Sequence, residues 1–315
     1  MKRCSGIARC ERFAAALLVL GATLVWGCSV DFDPRSEARD LYFSVGGFLN
    51  ATADTQFVRV MPLRDTLFPE DRQIDAEVSL EDLSTGEVTA WSDSVFTIAG
   101  KPVHNFWSAT PLAYGRQYRF EVHRSDGAQT VATVSVPDSF PRPELCVGND
   151  STNQYDPPVI VITGVERVAD LSLIYDVRSS ADPPTVHTLV ATRYSDLVEP
   201  LGFTYVARMD VLRDLPRLST ALRVPERDVI VQNVTLQVAA AREDWPDVKL
   251  DLETLALPGV VTNVQHGLGY LGAVAVKTVP WPEALTYLSI IGVSVEGDLP
   301  PISKPSELCG KLLHN

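Results

Sequence analysis

"GRQYRFEVHRSDGAQTVATVSVP", residues 115–137, decides the fold class. Tyr118, Phe120 and Val122 alternate with Gln117, Arg119, Glu121 and His123, the period of two that gives each face of a strand its own side chains. Ser125-Asp126-Gly127 is a hairpin-type turn, and beyond it Ala132, Val134 and Val136 alternate in the same way. The rhythm spreads outward. In "DAEVSLED" (75–82), Ala76, Val78 and Leu80 share one face and Asp75, Glu77 and Ser79 the other. "LYFSVGGFL" (41–49), "TQFVRVMPL" (55–63), "GEVTAW" (86–91) and "VHNFWSATP" (103–111) complete the set. About seven short strands in roughly 100 residues predict an antiparallel β-sandwich. Tyr118, three residues after Gly115, stands where a tyrosine corner would place it.

Strands continue beyond a segment rich in Pro, Asn, Asp and Ser at 139–158, which reads as a linker. They are "VIVITGV" (159–165), "DLSLIYDVR" (170–178), "VHTLVATRY" (186–194), "FTYVAR" (203–208), "DVIVQNVTLQVAAA" (228–241), "GYLGAVAVKTV" (269–279) and "LTYLSIIGVSVEG" (285–297). Two helices interrupt them. One covers 210–223, with Leu212, Leu215, Leu218 and Leu222 at helical spacing; Pro216 suggests a true start at Asp214, as cap. The other covers 247–256 and stops at Pro258-Gly259. The expected plan is a sandwich domain at 40–138, the linker, a second β-rich domain with short helical insertions at 159–309, and a tail at 310–315.

The N-terminus places the chain. Lys2, Arg3, Arg9 and Arg12 form a basic head, and Phe13 to Trp26 carries no charge. Fourteen helical residues span only about 21 Å at ~1.5 Å each, short for a membrane crossing. This pattern predicts a secretory signal over residues 1–27. Within it, Leu24-Val25-Trp26-Gly27-Cys28 looks like a bacterial lipobox, with an aliphatic Val25, a small Gly27 and Cys28 as the lipidation site; Trp26 is bulkier than usual there. An acyl chain contributes ~0.8 kcal/mol per buried CH₂, and more than one chain gives stable anchoring. Residues 28–39 then read as a tether. Ser29, rather than Asp, follows Cys28, which favours the outer membrane; the periplasmic and surface faces both stay open.

Removing residues 1–27 takes away four of the 27 basic and one of the 40 acidic residues and leaves a net charge of −16. Such a body argues against nucleic acid or anionic lipid as partner. Cys4 and Cys10 leave with the signal and Cys28 is lipidated, so Cys146 and Cys309 remain in an oxidising compartment. A disulfide between them is expected; two unrelated thiols are the alternative.

The search for chemistry finds no catalytic residue. His104, His123, His187, His266 and His314 show no metal-pair spacing, and HExxH, GxSxG, P-loop and CxxC patterns are absent from the sequence. Asn149, Asp150, Asn153 and Asp156 are oxygen donors without the regular frame of a calcium loop, so no metal and no cofactor is assigned. Trp107, Trp245 and Trp281 are the residue type that stacks on sugars, but Trp245 and Trp281 adjoin prolines, where packing is the default role. Gly267, Gly269 and Gly272 in "NVQHGLGYLG" precede a strand rather than a helix, which favours a turn, bulge or close neighbour over a phosphate cradle.

"DLYFSVGGFLNATADTQFVRV" (40–60), the pair "DAEVSLED" and "LAYGRQYRFEVHRSDG" (112–127), and above all "VTNVQHGLGYLGAVAV" (261–276) resemble a lipoprotein family found mainly in Bacteroidota, domain-of-unknown-function family 4249. The resemblance covers roughly residues 40–300 and implies an outer-membrane lipoprotein, often encoded near import receptors, with an immunoglobulin-like or transthyretin-like N-terminal sandwich. It supplies no catalytic residues. Three function classes follow: a non-enzymatic binding or accessory module for an import receptor or extended ligand, which is favoured; a structural or assembly protein of the envelope; and a hydrolase with an unrecognised site. Irregular segments on a β scaffold place the expected binding surface in the helical insertion of the second segment.

Overall fold

The structure is a computed structural model and describes residues 40–63, 74–98, 101–147, 157–180, 187–246, 261–301 and 309. The expected signal, lipidation site and tether, the 148–156 loop, the 247–256 helix, His314 and the 310–315 tail lie outside the described residues.

The chain is mainly β. In chain order the strands are β1 (Phe43–Asn50), β2 (Gln56–Pro62), β3 (Glu77–Asp82), β4 (Glu87–Ala90), β5 (Ser92–Ile98), β6 (Lys101–Ser108), β7 (Gln117–His123), β8 (Gln129–Ser135), β9 (Glu144–Cys146), β10 (Val159–Thr163), β11 (Arg167–Ser179), β12 (Thr188–Arg193), β13 (Glu199–Leu201), β14 (Thr204–Arg208), β15 (Val229–Ala241), β16 (Val264–Gln265) and β17 (Gly267–Pro280). They form an eight-stranded sheet in the order β12-β11-β15-β17-β1-β2-β6-β5, a five-stranded sheet β16-β8-β7-β3-β4 and a four-stranded sheet β13-β14-β10-β9. The pairs are antiparallel except β1 with β17, which run parallel.

Alternation builds two cores. Val45, Leu49, Val58, Val60 and Phe106 of the long sheet pack against Val78, Leu80, Tyr118, Phe120, Val122 and Val134 of the five-stranded sheet. At the other end of the long sheet, Leu171, Leu173, Leu236 and Val238 pack with Ile160 and Ile162 and with two helices. The β7–β8 hairpin follows its alternation, with Gly127 at φ 87° in the turn. Tyr118 forms the expected corner: its hydroxyl accepts from the Ala113 N–H at 2.9 Å.

The expected division at 139–158 does not separate two sheets. β1 from the first segment lies beside β17 from the second, and both cores contain residues of β17. Within the expected linker lies a strand, β9, paired with β10. Composition marked the prolines correctly, but pairing partners far apart in sequence leave no local signal.

Two helical expectations are corrected. The first helix, α1 (Val211–Leu222), begins with Asp210 as its cap, whose side chain accepts from the Arg213 N–H at 3.2 Å. Asp214 is no cap: it lies within α1, wholly buried. Pro216 is inside the helix. Leu218 and Leu222 face the core as expected, while Leu212 is exposed. The strand expected at 285–297 is corrected: its first residues belong to a helix, α2 (Glu283–Ile290), entered through Pro282. Ala284, Leu285, Tyr287 and Leu288 are buried at helical spacing while Ser289 and Ile290 are exposed, but so short an apolar run, continuing into Ile291-Gly292-Val293, reads like a strand.

The Gly-rich motif is fold geometry. Gly269 has φ 100° and pairs with Val45; a Cβ there would overlap the Val45 carbonyl oxygen. His266 adopts φ 53°, and its carbonyl accepts from Tyr42 N–H at 2.9 Å and Thr130 Oγ1 at 2.8 Å. These contacts set β17 against β1 and β8.

Candidate functional site: an aromatic row across the long sheet

The face of the long sheet turned away from the first core carries the opposite phase of each strand. Val45 and Leu49 of β1 point inward, so Phe48 points out; Phe57 of β2 and Trp107 of β6 alternate outward past buried Val58 and Phe106. Register brings them into line. Phe57 is the partner of Trp107, and Gly47 pairs with Val58, which sets Phe48 beside Phe57. Phe48 is 53% exposed, Phe57 49% and Trp107 37%, high values for aromatic residues within strands.

The row continues onto β17. Gly272 is the partner of Phe48, and a side chain on Gly272 would overlap the ring of Trp245. Trp245 therefore fills the place that β17 leaves vacant. Its ring meets Tyr270 edge-on, with centroids 5.9 Å apart at 89°. Arg167 Nη1 donates to the Trp245 carbonyl, and the half-buried Trp245 packs on a patch of Ala169, Ala239, Ala241 and Val274. Burial, then the charge of Asp244, pushes the Tyr270 hydroxyl up to about 12. Phe48, Phe57 and Trp107, with Trp245 lying over Gly272, thus stand in line across four strands, a backbone span of about 14 Å at ~4.8 Å per strand.

A polar line runs parallel to it. Gly46 pairs with Arg59, Arg59 with Asn105, and Asn105 with Ser94, all in the outward phase. Two residues along each strand sets this line about 7 Å from the rings. Arg59 is exposed and Asn105 and Ser94 are half-buried. Among the described residues, none of these three side chains spends a hydrogen bond on a neighbour. This face thus sets an exposed aromatic row beside unspent donors and acceptors.

The residues singled out from the sequence distribute as follows. Trp107 and Trp245 join this row, while Trp281 is 3% exposed and packs in the second core. Cys146 and Cys309 are joined by a disulfide, with Cα atoms 5.2 Å apart. Buried His104 contacts Asp93 through Nδ1 at 2.9 Å, and His123 contacts Glu121 at 3.1 Å. Among the described residues, no three His, Cys, Asp or Glu side chains converge for a metal. Also among them, no helix is long and apolar enough to cross a membrane. Phe48 and Phe57 were missed. Their signal was in the sequence: each stands on the outward phase of its own strand, where polar residues are expected.

The strongest buried polar cluster lies elsewhere. Asp214 Oδ2 accepts from Tyr175 at 2.7 Å, from Thr192 at 3.1 Å and from Tyr194 at 2.5 Å. Burial, together with neighbouring Tyr194 and Asp214, raises the Tyr175 hydroxyl well above its ordinary value. Burial and the bond to Asp214 raise Tyr194 likewise. Tyr175, Tyr194 and Asp214 are each 0% exposed, so the cluster seats α1 on β11 and β12 and meets no ligand.

No family model matches the chain, and no curated protein matches it. Twenty-seven chains of solved structures match. Two are the pullulanase of Anoxybacillus sp. LM18-11, alone and complexed with maltotriose, each 11% identical with a TM-score of 0.21. The match covers 64% of this chain and 24% of the pullulanase chain, so this chain spans about a quarter of that protein. A superposition at this TM-score carries no conclusion about fold or function.

Proposed function

We propose that this chain is a lipid-anchored binding module of the bacterial outer membrane, non-enzymatic, which presents the Trp245–Phe48–Phe57–Trp107 row to an extended ligand on behalf of an import receptor. The exposed aromatic row carries the reading. Rings that leave solvent on binding contribute roughly 25 cal/mol per Å² of apolar surface removed from water, and a folded chain gains nothing from exposing Phe48, Phe57 and Trp107 in line beside a half-buried Trp245. The lipobox at Leu24–Cys28 supports the anchor, and the resemblance to the lipoprotein family supports the membrane and the receptor. The row lies mainly on β1, β2 and β6, so the binding surface moves away from the helical insertion favoured by sequence alone.

Envelope material from the source bacterium, passed over the immobilised full chain and over its Phe57→Ala/Trp107→Ala variant, tests this reading. The wild type is expected to retain material that the variant releases. Equal retention by both would remove the row from the account. Labelling with a fatty-acid probe tests the anchor: Cys28→Ala is expected to abolish incorporation, and a labelled variant would refute the lipobox.

A further inference from the structure

Building on the reading of this face as a binding surface, we propose that its ligand is a neutral polysaccharide, laid across the strands. Three observations select that chemistry. First, the aromatic residues recur once per strand in a line across the sheet, and an extended glycan presents its sugar faces in a line of the same kind. A sugar ring has an apolar C–H face that stacks on an aromatic ring and an equatorial rim of hydroxyls. The row offers the stacking surfaces in line, at Trp245, Phe48, Phe57 and Trp107.

Second, the polar line matches that rim. Arg59 supplies donors only, Asn105 a donor and an acceptor, and Ser94 a hydroxyl of either sense. Register sets them side by side, one strand apart, parallel to the rings. Hydroxyls along one edge of a glycan meet them while its ring faces cover the aromatic row. A purely apolar partner would leave these three groups desolvated and unpaired, which is unfavourable.

Third, charge narrows the class. The whole chain has a net charge of −13, and the aromatic and polar rows contribute one ionic group, Arg59. An anionic glycan or a nucleic acid would meet long-range repulsion from the body. A neutral polymer meets none, and its binding is expected to be insensitive to salt.

The test is affinity electrophoresis of the full chain in mild detergent through gels containing xyloglucan, galactomannan, mixed-linkage β-glucan or dextran, with tryptophan fluorescence titration in solution. At least one polymer is expected to retard the wild type and to change its fluorescence, with little difference between 50 and 500 mM salt. Phe57→Ala/Trp107→Ala is expected to weaken that binding at least tenfold, and Asn105→Ala several-fold. Leu189→Ala, exposed on β12 outside both lines, should bind as the wild type does. Circular dichroism checks that each variant is folded; the fluorescence titration of the wild type stands whether or not they are. No response to any of the four polymers, or binding that the double variant keeps, would overturn the proposal. If the double variant loses a protein from envelope material while no polysaccharide binds, the surface reading survives and the glycan is refuted. If neither changes, both fail.

Discussion

The Tyr175 hydroxyl, on β11, donates to the Asp214 carboxylate at 2.7 Å, joining the long sheet to a helix 39 residues further on. Thr192 and Tyr194 donate to the same oxygen. Tyr194 also reaches the Asp210 carbonyl at 3.1 Å and Thr192 the Leu173 carbonyl at 3.4 Å, so the Tyr175 hydroxyl is the one that depends most on Asp214. Replacing Asp214 with Ala removes the shared acceptor and leaves the Tyr175 hydroxyl without its carboxylate, at about 1 kcal/mol or more. Asp214→Ala is expected to lower stability by about 1–3 kcal/mol, and Tyr175→Phe by about 1 kcal/mol. Urea unfolding monitored by circular dichroism checks both. An Asp214→Ala variant within about 0.5 kcal/mol of the wild type, the range of ordinary surface changes, would show that the cluster does not seat α1.

The same cluster fixes a pH dependence. The Tyr175 and Tyr194 hydroxyls are held above their ordinary value of 10.0, chiefly by burial. The native state thus keeps protons that the unfolded chain releases. Their contribution is complete below pH ~10 and is lost as pH rises from there toward the folded values. Stability measured between pH 9 and 12 is expected to fall, and less steeply in Tyr175→Phe. Equal slopes in both proteins would contradict the assignment.

The disulfide between Cys146 and Cys309 closes a sequence separation of 163 residues onto a small cluster with Val159 and Val161. On the chain-entropy view a loop of this size contributes up to about 5 kcal/mol, less any strain. Reduction is expected to lower the urea midpoint markedly, and alkylation of the folded, unreduced protein should modify neither cysteine. Two readily alkylated thiols would exclude the bridge.

Gly269 and Gly46 stand on neighbouring strands in contrasting surroundings. Gly269 has φ 100° and no room for a Cβ against Val45, whereas nothing lies within 4 Å of a Cβ on Gly46. Gly269→Ala is expected to destabilise by about 2 kcal/mol or more, through strain and loss of the parallel β1–β17 pairing. Gly46→Ala should stay within about 0.5 kcal/mol. Thermal unfolding compares them; similar melting temperatures would show that the motif does not set the junction.

What was legible in the sequence follows from range. Alternation within "GRQYRFEVHR" or "DAEVSLED" is local, so the strands, the β7–β8 hairpin and the Tyr118 corner could be read directly. Cysteine bookkeeping reached the disulfide on the expectation that Cys4, Cys10 and Cys28 are otherwise accounted for. The parallel β1–β17 pairing was invisible, since its partners lie more than two hundred residues apart and only their glycines hint at a close neighbour. α2 was misread because its eight residues are too few to separate a helical period from alternation in an apolar run that continues into Ile291-Gly292-Val293. The aromatic row was half legible: Trp107 and Trp245 stood out as residue types, but only register places Phe48 and Phe57 between them.

The claim that this row is the working surface is met most directly by hydroxyl-radical footprinting of the full chain, with and without envelope material, read by mass spectrometry. Phe48, Phe57 and Trp107 are expected to lose reactivity together on binding, while exposed Phe203 and Tyr114, outside the row, keep theirs. Unchanged oxidation of Phe48, Phe57 and Trp107 in the presence of material that the chain demonstrably retains would contradict the account.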